Sequence, residues 1–195
     1  MKAYHHGNLR EDVLAAAAEA VASRGPEGLS LRELARGLGV THTAPRHHFG
    51  DKKGLLTALA AQGYRLLAGR LAAAGDDFLE AGVAYVRFAL DHPGHFAVMF
   101  RPDLVHGDDA DLVAARTRAR QALLAGAEAH ARATGRSPSL TADALLPPYA
   151  LLAWSAAHGL AHLALAGALG AMTQARSPEE IKAVARASLE QLAPA

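Results

Sequence analysis

The chain has 195 residues, 51% of them apolar, enough for one large domain or two small ones with a buried core. Its formal net charge is +1 and it has no cysteine, which excludes a disulfide framework, cysteine-ligated zinc and thiol catalysis. The charge is uneven: residues 30–53 hold five Lys/Arg against two Asp/Glu, an excess that suits an anionic partner at that end. Met1 is followed by the polar run KAYHHGNLRED, which lacks the apolar stretch of a secretory signal, so a cytoplasmic location is expected.

Alanine is abundant and apolar residues recur at three- and four-residue spacing, so an all-α chain is predicted. A first helix is expected from Asn8 to Arg24, with Leu9, Val13, Leu14 and Ala17 on one face, stopped by RGPEG. Next comes SLRELARGLG, in which Ser30 and Glu33 have the spacing of a capping box. A turn at Gly39-Val40-Thr41 opens a third helix over Thr41 to His48, and Asp51 caps a fourth from Lys52. Two short helices about a tight glycine-containing turn are a helix-turn-helix, with Leu31, Ala35, Val40 and Phe49 as its expected core. Longer helices are predicted over residues 52–74, 76–91, 109–134 and 141–170, with a short piece from Pro93. In the final helix, SPEE makes Ser177 the cap, Pro178 the first helical residue and Glu180 the partner in a second capping box.

The stretch LREDVLAAAAEAVASRGPEGLSLRELARGLGVTHTAPRHHFGDKKGLL resembles the DNA-binding module of TetR/AcrR-type transcriptional regulators. YHHGNLR, HPGHFAVMF and AWSAAHGLAHL resemble the subgroup with a Trp-His-Gly type C-terminal domain. The resemblance implies an N-terminal helix-turn-helix three-helix module, assigned to residues 1–53, and a larger helical ligand-binding and dimerisation domain over residues 54–195. It also implies a homodimeric, ligand-responsive regulator: a repressor released from a pseudo-palindromic double-stranded DNA operator by a small, partly apolar effector. No cofactor, catalytic activity or membrane partner is expected. The alternative is a helical small-molecule binder or enzyme that keeps the fold without specific DNA binding.

In such a module the third helix enters the major groove, its early residues reading base edges while flanking donors hold phosphates. That assigns His42, Thr43 and His47 to bases, Arg46 to a guanine edge or a phosphate, and Ser30, Thr41 and Lys52 to the same surface. Arg46 stands where the family usually has tyrosine, so the operator sequence cannot be borrowed from relatives. Pro45 is expected near the end of the first helical turn, at the cost of one backbone hydrogen bond. In the alternative reading His48 packs partly into the module while His42 and His47 are merely solvated; Lys2, His5 and His6 form either an arm on DNA or a loose chain end. A metal is disfavoured here, because His42 and His47 lie five apart whereas two ligands on one helix face need a spacing of three or four.

For the ligand site, the scarce aromatic and thioether residues Tyr85, Phe88, Phe96, Met99, Phe100, Tyr149 and Trp154, with His158 and His162, are the candidates to line an apolar cavity. His158 and His162 share a helix face, but with no acidic third ligand nearby a hydrogen-bonded role is favoured over a metal. Residues 144–175 contain no charged side chain, a length that meets the membrane-span criterion. Prolines, histidines and many small residues argue instead for close helix packing, and make the predicted helices over 141–170 and 178–192 the dimer candidates. Enzyme signatures such as HExxH or Gly-x-Ser-x-Gly are missing, and the acid pairs Asp76-Asp77 and Asp108-Asp109 are assigned to helix starts.

Overall fold

The computed structural model of the chain describes residues 9–135 and 147–191, and all regular structure among them is helical. The proposed arm residues Lys2, His5 and His6, and the predicted helix start at Thr141, lie outside the described residues. In chain order the helices are α1 (Leu9–Arg24), α2 (Leu31–Gly37), α3 (Ala44–Phe49), α4 (Lys52–Ala73), α5 (Phe78–Asp91), α6 (Pro93–Met99), α7 (Ala110–Thr134), α8 (Pro148–Leu165), α9 (Ala168–Thr173) and α10 (Pro178–Glu190). A 3-10 turn, Pro102–Leu104, lies between α6 and α7. The described residues form two compact units: one over residues 9–64 and 92–116, the other over 65–91, 117–135 and 147–191.

In the first unit, α1 buries Val13, Leu14, Ala17 and Val21, one stripe at helical spacing, and ends where Gly25 takes a left-handed φ of 75°. Helix α6 packs on α1 with unusual closeness: a Cβ placed on Gly94 would fall 2.0 Å from the Ala18 carbonyl oxygen. The core is completed by Leu34 and Ala35 of α2, by Leu55, Leu56 and Leu59 of α4, and by Phe96 and Val98 of α6. Tyr64 donates its hydroxyl hydrogen to the Met99 carbonyl at 2.7 Å, and the Arg116 guanidinium lies over its ring. His95, 8% exposed, contacts the Gln62 amide oxygen through Nε2 at 3.0 Å; burial, helped by neighbouring His92, pushes its pKa down to about 4.

The second unit is built on α5, which packs against α8 and α10. The face of α8 turned inward carries Ala150, Ala157, Ala161 and Ala164, whose small side chains let the helices approach while Val83, Val86 and Phe88 of α5 fill the interior. The predicted 141–170 helix is broken near its end: Gly167 adopts φ 72°, and α9 follows as a separate short helix. Helix α10 begins as its SPEE sequence requires, with Ser177 Oγ accepting from the Glu180 N–H and the Glu180 carboxylate accepting from the Ser177 N–H. Asp77 and Asp109, the second members of the two acid pairs, cap α5 and α7 by accepting from the backbone N–H groups of Glu80 and Leu112.

Candidate nucleic-acid interface and ligand cavity

The helix-turn-helix is present, but its second helix is shorter than its sequence pattern predicts. The turn runs from Leu38 through Thr43, pinned by the Val40 N–H donating to the Ala35 carbonyl at 3.0 Å, and α3 begins only at Ala44. Pro45 therefore lies in the opening turn of α3, where no intrahelical donor is needed, and its ring is buried. The predicted loss of a backbone hydrogen bond does not occur. The expected core also shifts: Leu34, Ala35 and Pro45 are buried, whereas Leu31, Val40 and Phe49 are only partly so.

Thr41, His42 and Thr43 precede the helix and are exposed, with the Thr41 and Thr43 hydroxyls 3.2 Å apart. Arg46 and His47 project from the helix itself and are likewise exposed. Among the described residues no carboxylate pairs with Arg46. His48 is exposed too, against the alternative that packed it into the module: Phe49 takes the inner position and the Arg10 guanidinium lies 5.4 Å from its ring centre. Lys52 is half-buried and donates from Nζ to the Glu27 carbonyl at 2.8 Å, which fixes the ammonium beside the start of α4. Ser30 caps α2 as expected, by a long 3.4 Å bond from the Glu33 N–H, but the reciprocal half of its capping box is absent because the Glu33 carboxylate pairs with Arg24 at 2.9 Å.

The second unit contains a cavity. Three of the aromatic candidates, Tyr85, Tyr149 and Trp154, line it, together with Leu71, His130 and Leu189, which gave no signal in the sequence, and Phe78, an equally scarce aromatic that was not among the candidates. Its wall carries no Asp, Glu, Lys or Arg, and both tyrosine hydroxyls are engaged: Tyr149 donates to the Ala127 carbonyl at 2.6 Å and Tyr85 is 2.7 Å from His158 Nδ1. The remaining ligand candidates are placed elsewhere. Phe88 is fully buried and does not line the cavity; His158 is half-buried and His162 exposed; Phe96, Met99 and Phe100 belong to the first unit, where Phe100 stacks edge-on against Tyr64. Burial and the neighbouring His162 both lower the His158 pKa.

A family model described as the tetracyclin repressor-like C-terminal domain matches residues 78–190, and another, for bacterial regulatory proteins of the tetR family, matches residues 13–59. The chain belongs to the TetR family. Members of the TetR family are DNA-binding transcriptional regulators, not enzymes. Over 55 residues, 28% of its length, this TetR-family chain is 40% identical to the HTH-type transcriptional repressor AcnR of Corynebacterium glutamicum, and the match spans 29% of that repressor. A Rhodococcus sp. RHA1 protein of unknown function is similar throughout, at 32% identity and a TM-score of 0.72, with 98% of each chain covered. The TetR-family regulator PfmR of Thermus thermophilus shares the fold, with a TM-score of 0.65 at 19% identity over 92% of this chain and 96% of that one. Among the described residues no helix is long and apolar enough to cross a membrane, and no three metal-ligating side chains converge.

Proposed function

We propose that this TetR-family regulator is a cytoplasmic homodimeric repressor whose α3 reads the major groove of a pseudo-palindromic operator. The observation that carries the reading is the exposed surface of Thr41, His42, Thr43, Arg46 and His47 on the module in which α1, α2 and α3 pack together. Residues 1–53 supply the DNA-binding part in this reading, and residues 54–195 the dimer contact and the ligand site. Helices α8 and α10 supply the dimer contact, consistent with Leu151, Leu152 and Leu163 of α8 being 47%, 60% and 41% exposed. Two-fold symmetry then sets two copies of α3 about one DNA turn apart, roughly 34–36 Å. The effector is a small, largely apolar molecule held in the second-unit cavity, whose wall offers no Asp, Glu, Lys or Arg to pair with a strongly charged group. Its binding favours a dimer geometry in which the two α3 helices no longer match adjacent grooves, so effector and operator oppose one another reciprocally.

The test is a fluorescence-anisotropy titration against DNA from immediately upstream of the protein's own coding sequence, beside a scrambled duplex, at two salt concentrations. Tight, salt-sensitive binding of two chains to the upstream duplex alone is the expected result. Should a random-library selection likewise enrich no sequence, specific DNA recognition through α3 is refuted.

A further inference from the structure

The face of α8 assigned above to the dimer contact also carries two histidines to which the regulator reading gives no role. His158 and His162 stand one helical turn apart, and their Nε2 atoms are 3.2 Å from each other. On a tetrahedral metal with ligand bonds of 2.0–2.1 Å, two nitrogens are separated by about 3.3 Å. The two nitrogens thus already hold the spacing of one edge of a metal's coordination shell. The far nitrogen of His158, Nδ1, is 2.7 Å from the Tyr85 hydroxyl, and metal-binding histidines are characteristically oriented by such a contact behind the ligating ring.

We infer that His158 and His162 form a two-histidine site for a divalent transition metal ion of the imidazole-binding class, such as copper, nickel or zinc, with Tyr85 as the positioning residue. Between the two rings one Nε2–H donates to the other Nε2, so one proton lies where the metal must go. Binding requires both rings to carry their proton on Nδ1. His158 Nδ1–H then donates to the Tyr85 hydroxyl oxygen, both Nε2 lone pairs face the ion, and no net proton is released from two neutral rings. His162 is exposed in the single chain, so the other coordination positions fall to water or to groups that a second copy brings to α8. Because two ligands hold an ion more weakly than the three or four of a structural site, the site is suited to reversible occupancy.

Trp154, the only tryptophan in the chain, supplies the readout: its ring centre is 5.6 Å from that of His158. Copper(II) titrated into the full-length protein at neutral pH is expected to quench Trp154 fluorescence saturably, and zinc(II) to compete the copper away. His162→Ala, at an exposed position, removes one ligand and abolishes the saturable phase while leaving circular dichroism unchanged. Tyr85→Phe keeps both ligands but loses the orienting contact, and is expected to weaken binding about 10- to 100-fold. Quenching of His162→Ala with the same midpoint as the parent protein overturns the inference, whatever happens at other histidines. So does the absence of any saturable quenching in the parent.

Discussion

The contact between α6 and α1 makes a prediction whose sign runs against helix propensity. Alanine is favoured over glycine within a helix by about 1 kcal/mol, so Gly→Ala in a helix is ordinarily stabilising. At Gly94 the added Cβ would lie 2.0 Å from the Ala18 carbonyl oxygen, 2.8 Å from its carbon and 3.1 Å from its Cα. Real Cβ atoms essentially never approach closer than 3.0 Å, and all three neighbours are backbone, so no rotamer change relieves the clash. The two helices must separate by about 1 Å, an overpacking cost at the upper end of the usual 1–3 kcal/mol. Net of the propensity gain, Gly94→Ala should destabilise the protein by about 2 kcal/mol, lowering Tm by about 4–8 °C for a chain of this size. Gly69, inside α4 with nothing within 4 Å of where a Cβ would stand, is the control: Gly69→Ala should be neutral or stabilising by up to about 1 kcal/mol. Urea unfolding of both variants beside the parent measures the difference. If Gly94→Ala matches or exceeds Gly69→Ala in stability, the close α1–α6 approach is wrong.

Further outcomes follow from the same geometry. His95 has a folded pKa of about 4, below the ordinary 6.5, so the unfolded chain takes up the proton first. Its stability contribution is complete above about pH 6.5 and is lost as pH falls toward 4, by at most about 3 kcal/mol, and urea midpoints measured across that window should show the decline, diminished in His95→Gln. Arg46→Ala should weaken specific operator binding by about 1–3 kcal/mol if the guanidinium reads a base; a loss of equal size on every sequence identifies a phosphate contact, and no loss on any sequence removes Arg46 from the interface. Ala153→Phe introduces a ring into the cavity wall and should reduce binding of the neutral dye N-phenyl-1-naphthylamine at least tenfold while leaving operator affinity in the absence of effector unchanged; undiminished dye binding would place the ligand elsewhere. Ser177→Ala removes the cap of α10 and should cost about 1 kcal/mol in chemical denaturation.

Comparison of the two capping motifs shows what the sequence could and could not reveal. Ser177 and Glu180 form the full reciprocal box because every atom involved lies within four residues. Ser30 and Glu33 have the same spacing, yet Glu33 turns to Arg24, a partner brought close by the packing of α1 against α2, which local spacing does not encode. The all-helical class and the position of the helix-turn-helix were legible for the same reason as the Ser177 box: periodicity, caps and left-handed glycines are local. The start of α3 was displaced by three residues because Thr41, His42 and Thr43 are compatible with either turn or helix, and the burial of Pro45 decides the matter through tertiary contact. The cavity was half legible. Tyr85, Tyr149 and Trp154 drew notice as rare residues, but Leu71 and Leu189 look like any core leucine, and nothing in the spacing of Phe96, Met99 and Phe100 announces that they pack in the other unit.

The division of the chain into units also governs how it can be re-engineered. Residues 92–116 return to the unit that begins with α1, and two of the crossings, at 64/65 and 116/117, fall within the continuous helices α4 and α7. No single cut therefore liberates the α1-containing unit with its interior intact. A hybrid regulator that takes only its leading segment from a donor would set foreign residues at Ala18 against the native Gly94, so grafting a new sequence specificity onto this scaffold requires either transplanting 92–116 as well or confining the exchange to solvent-facing positions around α3.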